Sequence, residues 1–175
     1  MFIVGDNLRE LVQKYNIVDD MRDVEETCIE LRLCKNIKKL ITTEKIRILR
    51  YGESIPKECV KIEEIPEDGL LLKPSETVLA CSNQRVIIPQ GYMGIVQTKG
   101  SLARMFVFSH CSDFQVDSGF SGRITLELYN ASQFGILLRE GQKVANLYIL
   151  PVSDKNVRKY QGKYNNADEP TIQLP

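Results

Sequence analysis

The feature that most constrains this chain is a succession of short β-rich segments, at 46–49, 60–62, 70–72, 77–80, 86–88, 93–96, 106–108, 124–126, 136–138 and 144–150. Turn signals such as Glu67-Asp68-Gly69, Lys73-Pro74-Ser75, Pro89-Gln90-Gly91 and Glu140-Gly141 separate them. Strands at this spacing, with almost no helix between them, cannot build a doubly wound parallel sheet, which needs a crossover helix after each strand. They predict a mainly β jelly-roll or barrel. Helical spacing occurs once, where Asp6-Asn7 is placed to cap a helix with Leu8, Leu11, Val12 and Tyr15 on one face.

At 175 residues and 43% hydrophobic the chain supports one domain with a real core. The barrel with its helix is expected over residues 1–152. Residues 153–175 are polar, rich in Lys, Asn and Asp, and predict a flexible C-terminal tail. With 23 basic and 23 acidic side chains there is no overall field to draw the protein to nucleic acid or an anionic membrane, so an anionic ligand needs a local basic cluster. The run Lys35-Asn36-Ile37-Lys38-Lys39 reads as a solvated strand end. Met1-Phe2-Ile3-Val4-Gly5-Asp6 does not begin as a leader peptide does, and no apolar stretch reaches membrane-spanning length, so a soluble cytoplasmic protein without a membrane partner is expected.

Five cysteines, Cys28, Cys34, Cys59, Cys81 and Cys111, are scattered without a Cys-x-x-Cys pair and read as buried reduced thiols. Zinc-dependent cytidine deamination needs a His or Cys ligand beside a Glu and a Pro-Cys-x-x-Cys segment. Neither is in the sequence, and His110 stands alone in Ser109-His110-Cys111-Ser112. Asn130-Ala131-Ser132 fits the glycosylation pattern and reads as a chance match.

Three segments carry polar chemistry. In Lys99-Gly100-Ser101-Leu102-Ala103-Arg104, small residues let backbone N–H groups approach a phosphate between two cations, although a turn with solvated cations reads the same way. In Val116-Asp117-Ser118-Gly119-Phe120-Ser121-Gly122, Asp117 sits in a glycine-rich turn, where it could bond only its own backbone. In Ile124-Thr125-Leu126-Glu127-Leu128-Tyr129-Asn130, alternation puts Glu127 on one face with Thr125 and Tyr129, a face that could simply be solvated.

Together, in this order and spacing, Ser101-Leu102-Ala103-Arg104, Val116-Asp117-Ser118-Gly119-Phe120-Ser121-Gly122 and Ile124-Thr125-Leu126-Glu127 resemble the dCTP deaminase family of the trimeric dUTPase and dCTP deaminase superfamily. The similarity extends to Ile29-Glu30-Leu31-Arg32-Leu33, Leu72-Lys73-Pro74-Ser75-Glu76, Leu138-Arg139-Glu140-Gly141-Gln142 and Gly162-Lys163-Tyr164, and is loosest at the helix and over 35–65.

The resemblance implies a distorted jelly-roll of the dUTPase-like type. It implies a homotrimer with active sites between subunits, and a tail that closes over bound nucleotide. The implied reaction is deamination of dCTP to dUTP and ammonia without zinc, with or without continuation to dUMP and pyrophosphate. Glu127 is implied as the acid/base, Asp117 as the acceptor of the 3′-hydroxyl, and Lys99, Ser101, Arg104, Lys163 and Tyr160 as substrate contacts. Mg²⁺ is chelated mainly by the nucleotide phosphates rather than by protein side chains, and dUTP and dTTP are further candidate ligands.

Three departures stand beside it. Lys99-Gly100 replaces an Arg-Ser pair whose serine helps position the water, and Asp113 replaces a small alanine near that water; the extra charge either takes over the hydroxyl's role or blocks the reaction. Asn165-Asn166-Ala167 stands where a glutamine is expected, which puts closure of the tail in question. A dUTPase-like pyrophosphatase without deamination and a non-catalytic deoxynucleotide-binding protein are the alternatives.

Overall fold

The computed structural model describes residues 1–173, so Leu174 and Pro175 of the expected tail lie outside the described residues. Helix α1, Gly5–Tyr15, comes first, followed by β1 (Ile29–Arg32), β2 (Asn36–Leu40), β3 (Val60–Glu64), β4 (Leu70–Leu72), β5 (Thr77–Ile87) and β6 (Tyr92–Thr98). A single helical turn, α2 (Gly100–Ala103), precedes β7 (Val107–Phe108), β8 (Gln115–Val116), β9 (Ser121–Asn130), β10 (Ile136–Leu138) and β11 (Lys143–Pro151).

These strands form three antiparallel sheets, ordered β1-β11-β6-β8, β10-β4 and β3-β2-β5-β9-β7. The fold is mainly β with one short N-terminal helix, as the segment pattern predicts, but the sheets do not close into one continuous hydrogen-bonded barrel. Inward residues of both larger sheets, among them Leu31, Leu147 and Ile149 on one side and Leu126 and Leu128 on the other, are fully buried in one apolar core. Each such side chain contributes about 1.5–3 kcal/mol of burial. Leu8, Leu11 and Val12 of α1 join the same core, which is why this helix forms on a β protein.

Some expectations fail for identifiable reasons. Asp6 and Asn7 do not cap α1; the flanking residue is Val4 in extended conformation, and Asp6 lies within the first turn, where its charge favours the helix dipole. Tyr15 leaves the buried face and stands at 37% exposure near Tyr92. Residues 46–49 are not a strand: among the described residues they pair with no strand of any sheet, Ile48 faces solvent and Leu49 lines the cavity that β9 borders. The basic run at 35–39 is not a strand end but the interior strand β2, with Ile37 buried. Its lysines meet carboxylates: Lys35 meets Glu64 at 2.6 Å, Lys39 meets Glu76 at 2.8 Å and Lys38 meets Glu169 of the tail at 3.3 Å.

Cys28, Cys34, Cys59 and Cys81 are free and buried, whereas Cys111 is exposed. Asn130 is fully buried and donates to the carbonyls of Leu72 and Phe134, so its side chain braces β4 against the turn after β9. Among the described residues no helix is long and apolar enough to cross a membrane.

Candidate active site

Strand β9 alternates cleanly. Ile124, Leu126 and Leu128 enter the core, and Arg123, Thr125, Glu127 and Tyr129 face the other way. That second face is not simply solvated: Arg123, Thr125 and Glu127 line a cavity of about 1140 Å³ together with Asp113, Asp117 and tail residues Tyr160 and Lys163. Pairing of β9 with β5 along most of its length, Glu127 opposite Leu79, makes the strand a rigid mount.

Glu127 is held above the ordinary carboxylate range. Burial is the largest cause; the Cys111 N–H, which donates to Oε2 at 3.4 Å, opposes it, and the charge of Asp113, a smaller effect, pushes in the same direction as burial. A carboxyl shifted upward gives up its proton less readily than an exposed one, which suits a group that must both take and give a proton. Ser112, between Cys111 and Asp113, has φ 77°, a left-handed conformation that a serine adopts only at a cost. That bend is what lets one short segment offer Glu127 a backbone donor and place a second carboxylate in the same cavity.

Asp117 accepts from Nε2 of Gln115 at 2.6 Å, and its carbonyl accepts from the Phe120 N–H at 3.1 Å, closing the turn. The two glycines of this turn do more than turn. At Gly119 (φ 83°) an added Cβ would stand 2.6 Å from Cβ of Lys159, and at Gly122 (φ 150°) it would stand 2.9 Å from the Ala167 nitrogen. Both therefore leave room for the C-terminal tail, which runs directly over the turn.

The tail carries no strand or helix, yet it is bonded to the body. Tyr160 N–H donates to Ser118 O at 2.7 Å, Asn166 N–H to Ser121 O at 2.6 Å and Arg123 N–H to Ala167 O at 2.7 Å. Oδ1 of Asn165 accepts from the Ser121 N–H at 2.9 Å, and Thr171 N–H donates to Oγ1 of Thr125 at 3.0 Å. Asn165-Asn166-Ala167, the very residues that replace the expected glutamine, thus secure the tail to β9. Gly119→Ala is expected to displace it: trypsin should cleave within 155–163 several-fold faster than in the parent, and stability should fall by about 1–2 kcal/mol from the left-handed alanine alone.

The segment from Lys99 to Arg104 lies elsewhere. Leu102 is buried and anchors α2, but Lys99, Gly100, Ser101 and Arg104 do not line the cavity. Lys99 is ion-paired with the buried Glu30, which also holds Lys143. Gly100 leaves room for Arg104, whose Nη1 would stand 3.3 Å from a Cβ there. Within one chain the site residues thus form two groups: Asp113, Asp117, Glu127, Tyr160 and Lys163 come together, and Lys99 to Arg104 stand apart from them. His110 lies edge-on to Phe114, with ring centroids 6.3 Å apart, and is not part of the cavity lining. Among the described residues no group of three or more His, Cys, Asp or Glu side chains is placed to hold a metal ion.

Sequence reasoning missed a further part of the lining, formed by Leu49, Arg50, Tyr51 and Gly52 with Ile172 and Gln173 of the tail. Misassigning 46–49 as a strand hid it, and no motif marks it. Residues 3–151 match the family described as dCTP deaminase-like.

The chain belongs to the dCTP deaminase-like family.

Among curated proteins of this family, the dCTP deaminase of Sulfurisphaera tokodaii is 31% identical over 175 residues, covering 97% of this chain and 91% of its own. The dUMP-forming dCTP deaminase of a Sulfurihydrogenibium species is 29% identical over 157 residues, covering 90% and 85% respectively. Among solved structures, the 2′-deoxycytidine 5′-triphosphate deaminase of Agrobacterium tumefaciens aligns with 85% of this chain at a TM-score of 0.64 and 15% identity, a likeness of fold. This chain spans about half of that one, 47%.

Proposed function

We propose that this protein deaminates dCTP hydrolytically, with Glu127 as the acid/base and without zinc. The observation that carries the reading is a carboxyl with a raised pKa, on a rigid strand, inside a cavity that the chain's own tail covers. Glu127 takes a proton from the water that attacks C4 of cytosine and passes it to N3, then moves the proton of the new C4 hydroxyl to the amino group, which departs as ammonia and leaves uracil. Asp117 accepts the 3′-hydroxyl, and Tyr160 and Lys163 hold the nucleotide from the tail side. Mg²⁺ arrives with the triphosphate, chelated by its oxygens.

Lys99, Ser101 and Arg104 complete the site from a second copy in a homotrimer. Their absence from the cavity lining within one chain supports this arrangement, as does the apolar surface that follows them, where Phe106, whose carbonyl accepts from the Ala131 N–H, is 66% exposed and Phe134, whose carbonyl accepts from the Asn130 amide, is 76% exposed. The relatives whose names specify dUMP as product favour continuation from dUTP to dUMP and pyrophosphate over release of dUTP.

Asp113 takes the role that Gly100 cannot, orienting the attacking water beside Glu127. Its charge raises the Glu127 pKa, so its removal lowers it. Asp113→Asn is accordingly expected to move the acid limb of kcat/KM to lower pH and to reduce kcat; a limb that stays in place separates Asp113 from Glu127. The deciding assay is incubation of purified protein with dCTP and Mg²⁺, following ammonia together with dUTP, dUMP and pyrophosphate. Ammonia production supports deamination. Cleavage of dUTP without ammonia from dCTP points instead to a pyrophosphatase, the reading favoured if the Asp113 charge excludes water from C4, and binding without turnover points to a nucleotide-binding protein.

A further inference from the structure

We propose that Arg50, on the irregular segment 41–56, is a phosphate-binding residue of this site, supplied by the loop against which the tail closes; this rests on the nucleotide reading above. Sixteen residues without helix or strand separate β2 from the short helical turn at Lys57–Cys59, and segments of this length inside a compact domain are commonly binding loops or lids. The loop is held at its start by the Ile41 N–H, which donates to Cys59 O at 2.9 Å, and near its end by the tail, where Nε2 of Gln173 donates to Glu53 O at 3.3 Å. Between these points Leu49, Arg50, Tyr51 and Gly52 form the wall of the cavity.

The charges of the cavity decide where a triphosphate can lie. Asp113, Asp117 and Glu127 put carboxylates on the β8–β9 side, which repels phosphate, so the polyanion must extend toward the cations of the lining, Arg50, Arg123 and Lys163. Arg123 is committed elsewhere: its Nη1 donates to Ser82 O at 3.1 Å, to Asn83 and toward Sγ of Cys34. Lys163 belongs to the tail and lies over the Tyr164 ring. The Arg50 side chain is 76% exposed, with its ion-pair partner Glu53 at 3.9 Å, beyond hydrogen-bonding distance. An exposed fork of N–H donors on a cavity wall suits bidentate contact with phosphate oxygens. Because Gln173 ties the loop to the end of the tail, Arg50 and Lys163 would approach the phosphates from two elements already joined to each other.

Arg50→Ala and Arg50→Lys in the full chain test this by calorimetric binding of dCTP, deoxycytidine and inorganic tripolyphosphate, each with Mg²⁺. Loss of a charge-assisted contact is expected to weaken dCTP and tripolyphosphate by about 10- to 100-fold in the alanine variant and less in the lysine variant, with deoxycytidine unchanged. The melting temperature without ligand should match the parent, since Arg50 is exposed. Unchanged affinity for dCTP and tripolyphosphate, or equal weakening of dCTP and deoxycytidine, overturns the role of Arg50 and leaves the deaminase reading standing. Binding of tripolyphosphate that depends on Arg50, in a protein that does not turn over dCTP, upholds Arg50 and sinks that reading.

Discussion

Glu127→Gln is expected to lower dCTP turnover by about 10³-fold, within the range that a positioned acid/base supplies, while dCTP binding is retained. Glutamine keeps the size of the side chain and its acceptor toward the Cys111 N–H, so the cavity persists and only the proton transfer is lost. The same variant is expected to be more stable than the parent at neutral pH. Folding raises the Glu127 pKa, so between the ordinary value of 4.5 and the raised one the folded state binds more protons than the unfolded state, and stability falls as pH rises through that window. The substituted glutamine cannot ionise and escapes that loss. Melting curves across pH 4 to 8 should diverge upward for the variant above the ordinary carboxylate range and coincide below it. A variant less stable at every pH would show that the ionised Glu127 is not penalised by its surroundings.

Asp23→Ala is expected to cost about 3 kcal/mol and lower Tm by roughly 6–12 °C. Asp23 is 2% exposed, accepts from Nε of Arg32 at 2.7 Å and from Nε2 of Gln84 at 2.6 Å. Gln84 in turn accepts from the Arg32 N–H at 3.0 Å and donates to Glu30 O at 3.0 Å. It does so where the pairing of β5 with β9 shifts register, between Cys81 and Arg85. The network therefore fixes β1, the strand that carries Glu30 and so holds Lys99. Removing Asp23 leaves the Arg32 guanidinium without its carboxylate, with Gly141 O as its remaining acceptor, and takes one of two acceptors from the Gln84 amide. The double variant Asp23→Ala/Arg32→Ala should recover part of the loss, because it leaves no unpaired charge; equal destabilisation in the single and double variants would place the effect in packing instead.

What the sequence determined by itself is the local part of the architecture. Short alternating segments and their turns are set by neighbours one or two residues away, so β4, β6, β9, β10 and β11 were legible, as was the face of β9 that carries Glu127. The segments around Ser101, Asp117 and Glu127 were legible because their residue types and spacing form a distinctive combination, and the family match covers them.

What only the tertiary structure decided depends on contacts distant in sequence. Whether 46–49 pairs depends on which distant segment comes to lie beside it, and the fold sets it along the cavity rather than along a sheet edge. Whether the polar tail is ordered depends on Gly119 and Gly122 leaving space for Lys159 and Ala167, and on backbone groups of β9 left open to receive it. The raised pKa of Glu127 comes from burial and from Asp113, fourteen positions away in the chain but in the same cavity. Burial, desolvation and charge coupling are set by distance in space, and one sequence read along its length carries no measure of that distance.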